Sequence, residues 1–389
     1  MQKDQRIVVN NGAAPTVLAA STGAPRDFHR RLPGYAPTPL VPAPAIARRL
    51  GVGHVRVKVE SSRFGLPAFK ILGASWAIWR ALEQKAGPFR PWRSLAELGE
   101  QVRAKVGPLA FTAATDGNHG RAVARVAALL GLSSHIFVPA GTARARIEAI
   151  EGEGARVTVV DGTYDDAVAR AAAEAGERCL LIQDTDPTGG DPVPGWVMEG
   201  YATVFQEIDE QLAGRGAAEP DLVAVQIGVG ALAGAAVAHF RHPERPRRPR
   251  MVGVEPIDAA CALVSVEKGQ PTLVPGPHRS VMAGLNCGFP SLAAWPVLSR
   301  GIDVFVAVGD GYVPEAVRLL AAEGIEAGET GAAGLAGLIA LADGHDPAAV
   351  EARARLRWHE GASVLLLCTE GVTDPEGYRA MVAAGDADA

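Results

Sequence analysis

The sequence predicts two three-layer α/β domains built on mostly parallel sheets, on three observations. Short apolar runs alternate with helical stretches from Leu109 to Ile208. The same alternation resumes at Leu222 and runs to Cys368. The chain has 389 residues, more than the roughly 250 to 300 at which a single core stops growing. Strands that alternate with helices at these spacings pair in parallel, because each parallel pair needs a crossover, and the crossovers cover both faces of the sheet.

In chain order, Pro37-Thr-Pro-Leu40 and Pro42 to Pro44 form an extended, turn-prone passage. A short helix from Pro44 follows, which Gly51 can cap. Val55 to Glu60 alternates apolar and polar residues at period two, as in a half-buried strand. From Gly73, Trp76, Trp79 and Leu82 recur at helical spacing, which predicts a helix packing an aromatic stripe into the core. Strands are predicted at 109–113, 134–138, 155–160 and 179–183, with helices near 121–130, 143–151 and 164–175 between them. Further strands follow at 222–227, 251–255, 304–308 and 363–368, with helices at 312–323 and 332–342. Domain boundaries are expected to give a large domain of 1–75 and 206–389 and a small one of 76–205. Arg241 to Arg250 reads as a solvated connection.

A net charge of -5, with 48% hydrophobic and 21% charged residues, argues against a nucleic-acid or anionic-membrane partner. Asp4 and Asn10 stand where a signal peptide would be apolar, and no apolar run approaches the roughly 20 residues of a membrane span, so a cytoplasmic protein is expected. Cys179 and Cys368 lie in strand-like runs and read as core. Cys261 and Cys287 lie in turn-rich segments and are expected as free thiols, with pairing as the alternative. No spacing suggests a metal.

Four stretches carry chemistry. Lysine is scarce, and Lys70 alone sits among apolar neighbours, Phe64, Leu66, Phe69, Ile71 and Leu72. Desolvation would disfavour its ammonium and leave a nucleophilic amine; snorkelling from a helix start is the plainer reading. Thr115-Asp-Gly-Asn-His-Gly120 joins a strand to a helix, where free N–H groups can hold a carboxylate or phosphate, or where Asp and Asn merely cap. Gly228-Val229-Gly230-Ala231-Leu232 repeats that geometry and suits an isolated phosphate, or else close helix–sheet packing. Thr369-Glu370-Gly371 places a hydroxyl after the last strand.

An amine, a phosphate cradle, a carboxylate-binding loop and a hydroxyl form a set that pyridoxal phosphate uses completely. Phe69-Lys70-Ile-Leu-Gly-Ala74, Asp116-Gly-Asn-His-Gly120 and the Gly228 loop resemble the tryptophan-synthase-like pyridoxal-phosphate enzymes of fold type II. Gln183-Asp184-Thr185, Met198 to Thr203, Met282 to Gly288 and Thr369-Glu370-Gly371 are similar, within that group, to the diaminopropionate ammonia-lyases. The resemblance spans roughly residues 37 to 375. It implies an active site between the domains, with Lys70 bound covalently to the cofactor and Asn118 bonded to its 3'-oxygen. Gly228, Val229, Gly230, Ala231 and Leu232 would hold the phosphate, and Thr369 would face the pyridine nitrogen and leave it unprotonated. Thr115, Asp116, Gly117 and His119 would meet the substrate. Asp116 stands where the related deaminases carry serine, which suits a substrate with a second ammonium group. With Asp184 it would supply proton abstraction on opposite faces. The implied reaction is elimination from 2,3-diaminopropionate to pyruvate and two ammonia by a homodimer. A serine/threonine dehydratase-like or threonine-synthase-like enzyme, and an inactive amino-acid-binding regulator, remain as alternatives.

Overall fold

The structure is a computed structural model, and it describes residues 4–16, 23–186 and 188–383. Its strands are β1 (Gln5–Val9), β2 (Leu40–Pro42), β3 (His54–Val59), β4 (Ala110–Ala114), β5 (Ser133–Pro139), β6 (Arg156–Val160), β7 (Cys179–Leu181), β8 (Leu222–Gln226), β9 (Arg250–Pro256), β10 (Val304–Val308) and β11 (Ser363–Cys368). They form two sheets in two compact units.

The larger unit comprises the described residues of Met1–Ser21, Pro37–Ser62 and Val204–Ala389. Its seven strands run in the order β1-β10-β9-β8-β11-β3-β2. The five inner strands are parallel, and β1 and β2 close the two edges antiparallel. All residues of β8, β10 and β11 are buried, so both faces of the sheet are covered; this is why these strands read as continuous apolar runs and not as alternating ones. The helix Glu329–Asp343 packs on β8 to β11 and is buried from Glu329 to Leu341.

Several expectations change here. The N-terminal segment, for which no element is expected, contains a strand, β1, and the extended proline passage contains β2; both owe their conformation to sheet partners, which local pattern does not show. Gly51 does cap the Pro44–Leu50 helix, at φ 63°. The arginine-rich connection is not simply solvated. Arg241 is buried against Asp303, Arg250 belongs to β9 and reaches the same carboxylate at 3.0 Å, and Arg245 pairs with Asp209 at 2.7 Å. Asp303 also accepts from the backbone N–H of Met251, so the arginines neutralise a carboxylate that the sheet itself holds.

The smaller unit comprises the described residues of Thr22–Ala36 and Arg63–Thr203, with a parallel sheet in the order β6-β5-β4-β7. It takes in more than the expected 76–205. Gly73 and Gly200 are the reason. A Cβ on Gly73 would lie 2.6 Å from the Tyr201 ring, and one on Gly200 would lie 2.6 Å from the Leu72 carbonyl oxygen, so the helices Lys70–Ala86 and Val193–Gly200 touch almost backbone to backbone. That contact holds Lys70 in this unit. On its other side the Lys70–Ala86 helix turns Trp76 and Trp79 onto Phe28, with ring centroids 5.6 and 5.8 Å away, so Ala24–His29 joins as well. The helix between β6 and β7, Tyr164–Glu174, starts in a capping box made by Thr163 and Asp166.

Candidate active site

In each sheet the strand order reverses at one point, and crevices open at the carboxyl ends of the strands beside such a reversal. In the smaller unit the chain passes from β4 outward to β5 and β6, then returns to place β7 on the other flank of β4. The loops leaving β4 and β7 are therefore neighbours. The first carries Thr115 to Asn118 and the second carries Asp184. Lys70 opens its helix beside them.

The Lys70 ammonium donates to Asp184 Oδ2 at 2.9 Å, with the lysine side chain 22% exposed and the aspartate 5%. The Tyr164 hydroxyl donates to Asp184 Oδ1 at 3.5 Å. That hydroxyl accepts from Gln183 Nε2 at 2.9 Å, while Gln183 Oε1 takes the Ala114 N–H. His119 Nε2 lies 2.8 Å from the Ile182 carbonyl, which can only accept, so the proton is on Nε2 and the lone pair on Nδ1. Nδ1 is buried and finds no partner among the described residues. Asp116 lies 3.9 Å from Arg146 Nη1 and keeps a third of its side chain open.

The charges do not follow the desolvation expected at Lys70. Burial does oppose its ammonium, but Asp184 and the other polar neighbours outweigh burial, and the lysine is held above its ordinary value, charged. Asp184 is correspondingly drawn down to about 2, burial pushing it up while Lys70 and then His119 pull it down further. Asp116 moves the other way, because burial outweighs Arg146 and Lys70 and raises it. Burial lowers His119 and keeps the imidazole neutral. Lys70 is also not the only lysine away from water. Lys58 is fully buried, bonded to Glu207 at 2.7 Å, to the Thr38 carbonyl at 2.8 Å and to Gln211 at 3.1 Å.

The larger unit reverses between β8 and β11, and the loops leaving these strands carry Gly228 to Leu232 and Thr369. The Thr369 hydroxyl accepts from Gln226 Nε2 at 2.9 Å, which ties the two loops together. The helix Ala231–Phe240 begins at Gly230, whose φ of 99° only glycine adopts readily. The first N–H groups of that helix have no helical acceptor and make an anion site with the dipole behind it. A Cβ on Gly228 would approach the Gly284 carbonyl oxygen to 3.1 Å and Cys287 Sγ to 3.3 Å, so the loop is a cradle that a side chain would fill. Gly230 serves packing as well as access, since a Cβ there would strike Leu298 Cδ1 at 2.4 Å. Cys261 does not lie in a turn: it starts the helix Cys261–Lys268, and its buried thiol faces the Gly228 carbonyl at 3.7 Å. All four cysteines are free, and Cys179 is only partly buried.

Lys70, Thr115, Asp116, Gly117, Asn118, His119 and Asp184 thus gather in the smaller unit, and Gly228 to Leu232 with Thr369 in the larger. The expected helix at 121 starts at Asn118 instead, which puts that side chain on its first turn. Two contributors had no assigned part. Gln226 is a polar residue ending an apolar strand, a visible signal; Tyr164 looks like any helix start.

Each unit holds groups of the kind pyridoxal phosphate uses, a lysine amine in the smaller and an anion cradle with a strand-end hydroxyl in the larger. Residues 31–353 match the family model described as pyridoxal-phosphate dependent enzyme. The chain is 37% identical to the diaminopropionate ammonia-lyase of Salmonella typhimurium over 382 residues, 95% of this chain and 94% of that protein. It is 35% identical to the Escherichia coli K12 protein of the same name over 379 residues, 96% and 94% of the two chains. The chain belongs to the diaminopropionate ammonia-lyase family. A crystal structure of the Escherichia coli enzyme, in complex with an aminoacrylate-PLP azomethine reaction intermediate, superposes with a TM-score of 0.86 at 33% identity, covering 99% of this chain and 98% of that one. Among the described residues no helix is long and apolar enough to cross a membrane, and no group of three or more His, Cys, Asp or Glu side chains could hold a metal ion.

Proposed function

We propose that this protein is a pyridoxal-phosphate-dependent ammonia-lyase that converts 2,3-diaminopropionate and water into pyruvate and two ammonia. The observation that carries the reading is the acid pair around Lys70: Asp184 at 2.9 Å and Asp116, whose charge also acts on the lysine. A site for a monoamino acid needs no second acid, whereas a substrate with a β-ammonium gains from one. When bound, the cofactor supplies the electron sink that stabilises charge at the α-carbon.

The side chains divide the work. Lys70 would anchor the cofactor through its amine, the N–H groups at Gly228 to Leu232 would hold its phosphate, and Asn118 would bond its ring oxygen. Thr369, fixed by Gln226, would offer the ring nitrogen a neutral hydroxyl. Thr115, Gly117 and His119 line the substrate carboxylate, with His119 neutral. Asp116 and Asp184 stand on the two loops that flank Lys70 and take the α-proton, Asp116 from the D-isomer and Asp184 from the L-isomer. The enzyme acts in the cytoplasm as a homodimer on a free amino acid, and its net charge of -5 gives no attraction to nucleic acid or an anionic membrane.

Pyruvate release measured on D- and L-diaminopropionate, D- and L-serine and L-threonine tests the reading. Diaminopropionate should be the fastest substrate. Faster turnover of serine or threonine would make the protein a dehydratase, and no turnover of any of them would leave an amino-acid-binding regulator.

A further inference from the structure

Tyr201 is one of the largest fully buried side chains in the protein, and its hydroxyl has no hydrogen-bond partner among the described residues. A buried hydroxyl without a well-formed hydrogen bond is destabilising, so its position calls for a reason. Its ring stands edge-on to Phe69 at 4.7 Å, and Lys70 Nζ lies 5.5 Å from that same Phe69 ring. Gly73, three residues beyond Lys70, is kept bare by the Tyr201 ring. The phenol is thus locked under the first turn of the lysine helix. After burial, Lys70 is the group that acts on it most strongly, and burial holds the phenol neutral. The amine is near enough to interact weakly with the phenol oxygen, but its well-formed hydrogen bond goes to Asp184.

This resting arrangement poses a problem for the chemistry proposed above, on which the present inference rests. Were a substrate's amine to take the place of Lys70 on the cofactor, the proton given up by the incoming ammonium would leave the released lysine as an ammonium beside Asp184, its 2.9 Å partner at rest. While so paired, Asp184 is a carboxylate of pKa about 2 and a poor proton acceptor. We propose that Tyr201 is a positioning residue whose hydroxyl oxygen accepts the Lys70 ammonium in a second orientation, away from Asp184, and so frees Asp184 to act as a base. The phenol fits the part because it is neutral, rigidly packed and, among the described residues, bonded to nothing but, weakly, the amine itself. Asp116 and His119, the other titratable groups nearby, do not fill it: Asp116 has its own catalytic part, and His119, although its Nδ1 is also without a partner among the described residues, is not among the groups that hold the Lys70 ammonium, whereas Tyr201 is.

Tyr201→Phe removes one oxygen and keeps every ring contact, so its melting temperature should match the parent or exceed it slightly. Two readouts test the proposal. In the apoprotein of Asp184→Ala, where the ammonium has lost its carboxylate, adding Tyr201→Phe should make labelling of Lys70 by an amine-directed acylating reagent, quantified by mass spectrometry across pH, roughly tenfold faster at a fixed pH, because the second acceptor is gone as well. In the holoenzyme, kcat should fall about tenfold for the isomer whose turnover Asp184→Asn abolishes and stay within about twofold for the other, with KM unchanged. Unchanged labelling together with equal effects on both isomers overturns the proposal. A protein that turns over neither isomer defeats the proposed function, and the labelling measurement alone then decides the role of Tyr201.

Discussion

Lys58 and Lys70 each meet a carboxylate away from bulk water, one in each unit, and the contrast between them separates a structural cation from a reactive one. Lys58 is fully buried, and its three donors find Glu207, the Thr38 carbonyl and Gln211. Lys70 is 22% exposed and its one well-formed hydrogen bond goes to Asp184, with a phenol it meets only weakly and an unpartnered imidazole nitrogen close by. Burial alone therefore does not mark the working lysine. Unused hydrogen-bonding capacity does, because a group whose donors are all engaged has nothing left to exchange for a ligand.

The largest effect expected from this contrast is at Lys70. Lys70→Ala should lose the borohydride-reducible absorbance near 410 nm and cut turnover on the order of 10⁴-fold or more, while the apoprotein still melts cooperatively. A variant that keeps a reducible band would move the central assignment elsewhere.

The two acids sharpen the comparison from the other side. Asp116→Asn and Asp184→Asn should each depress one enantiomer's turnover by about 10²- to 10⁴-fold, in opposite senses, in steady-state assays on D- and L-diaminopropionate. Matching losses on both isomers would dissolve the two-face arrangement and leave Lys70 as the shared base.

Lys58→Ala should behave as the inverse of Lys70→Ala. It strands the buried Glu207 carboxylate, so a destabilisation of about 3 to 5 kcal/mol is expected in urea unfolding. The protein that does fold should retain its cofactor band. A loss of the band without loss of stability would erase the distinction between the two lysines.

The smallest effect is in acid. Asp184 has its folded pKa drawn from 3.8 to about 2, so its stabilising contribution is present above about pH 4 and is lost as pH falls towards 2. The contribution is roughly 2 kcal/mol. The melting temperature of the apoprotein should therefore fall more steeply over that window than that of Asp184→Asn. Parallel curves would mean that the Lys70–Asp184 pair adds no stability.

Much of this was legible in the chain itself. Runs such as Val304 to Val308 and Ser363 to Cys368 announce buried parallel strands, because a strand covered on both faces has no polar side to show. The glycines of the Gly228 loop and the Asp116 to Gly120 stretch stand where strand-to-helix turns require them, and the resemblance of the motifs pointed to the cofactor. What stayed hidden depends on residues far apart in sequence. β1 and β2 are strands because β10 and β3 offer edges to pair with. Lys70 reads as a desolvated amine from its neighbours in the chain and turns out charged, because Asp184, 114 positions away, faces it across the smaller unit. Local sequence sets propensity, turn chemistry and the supply of functional groups. The protonation of those groups, and whether Tyr201 or Gln226 has a partner, is set by distances of a few ångströms that only the packed chain fixes.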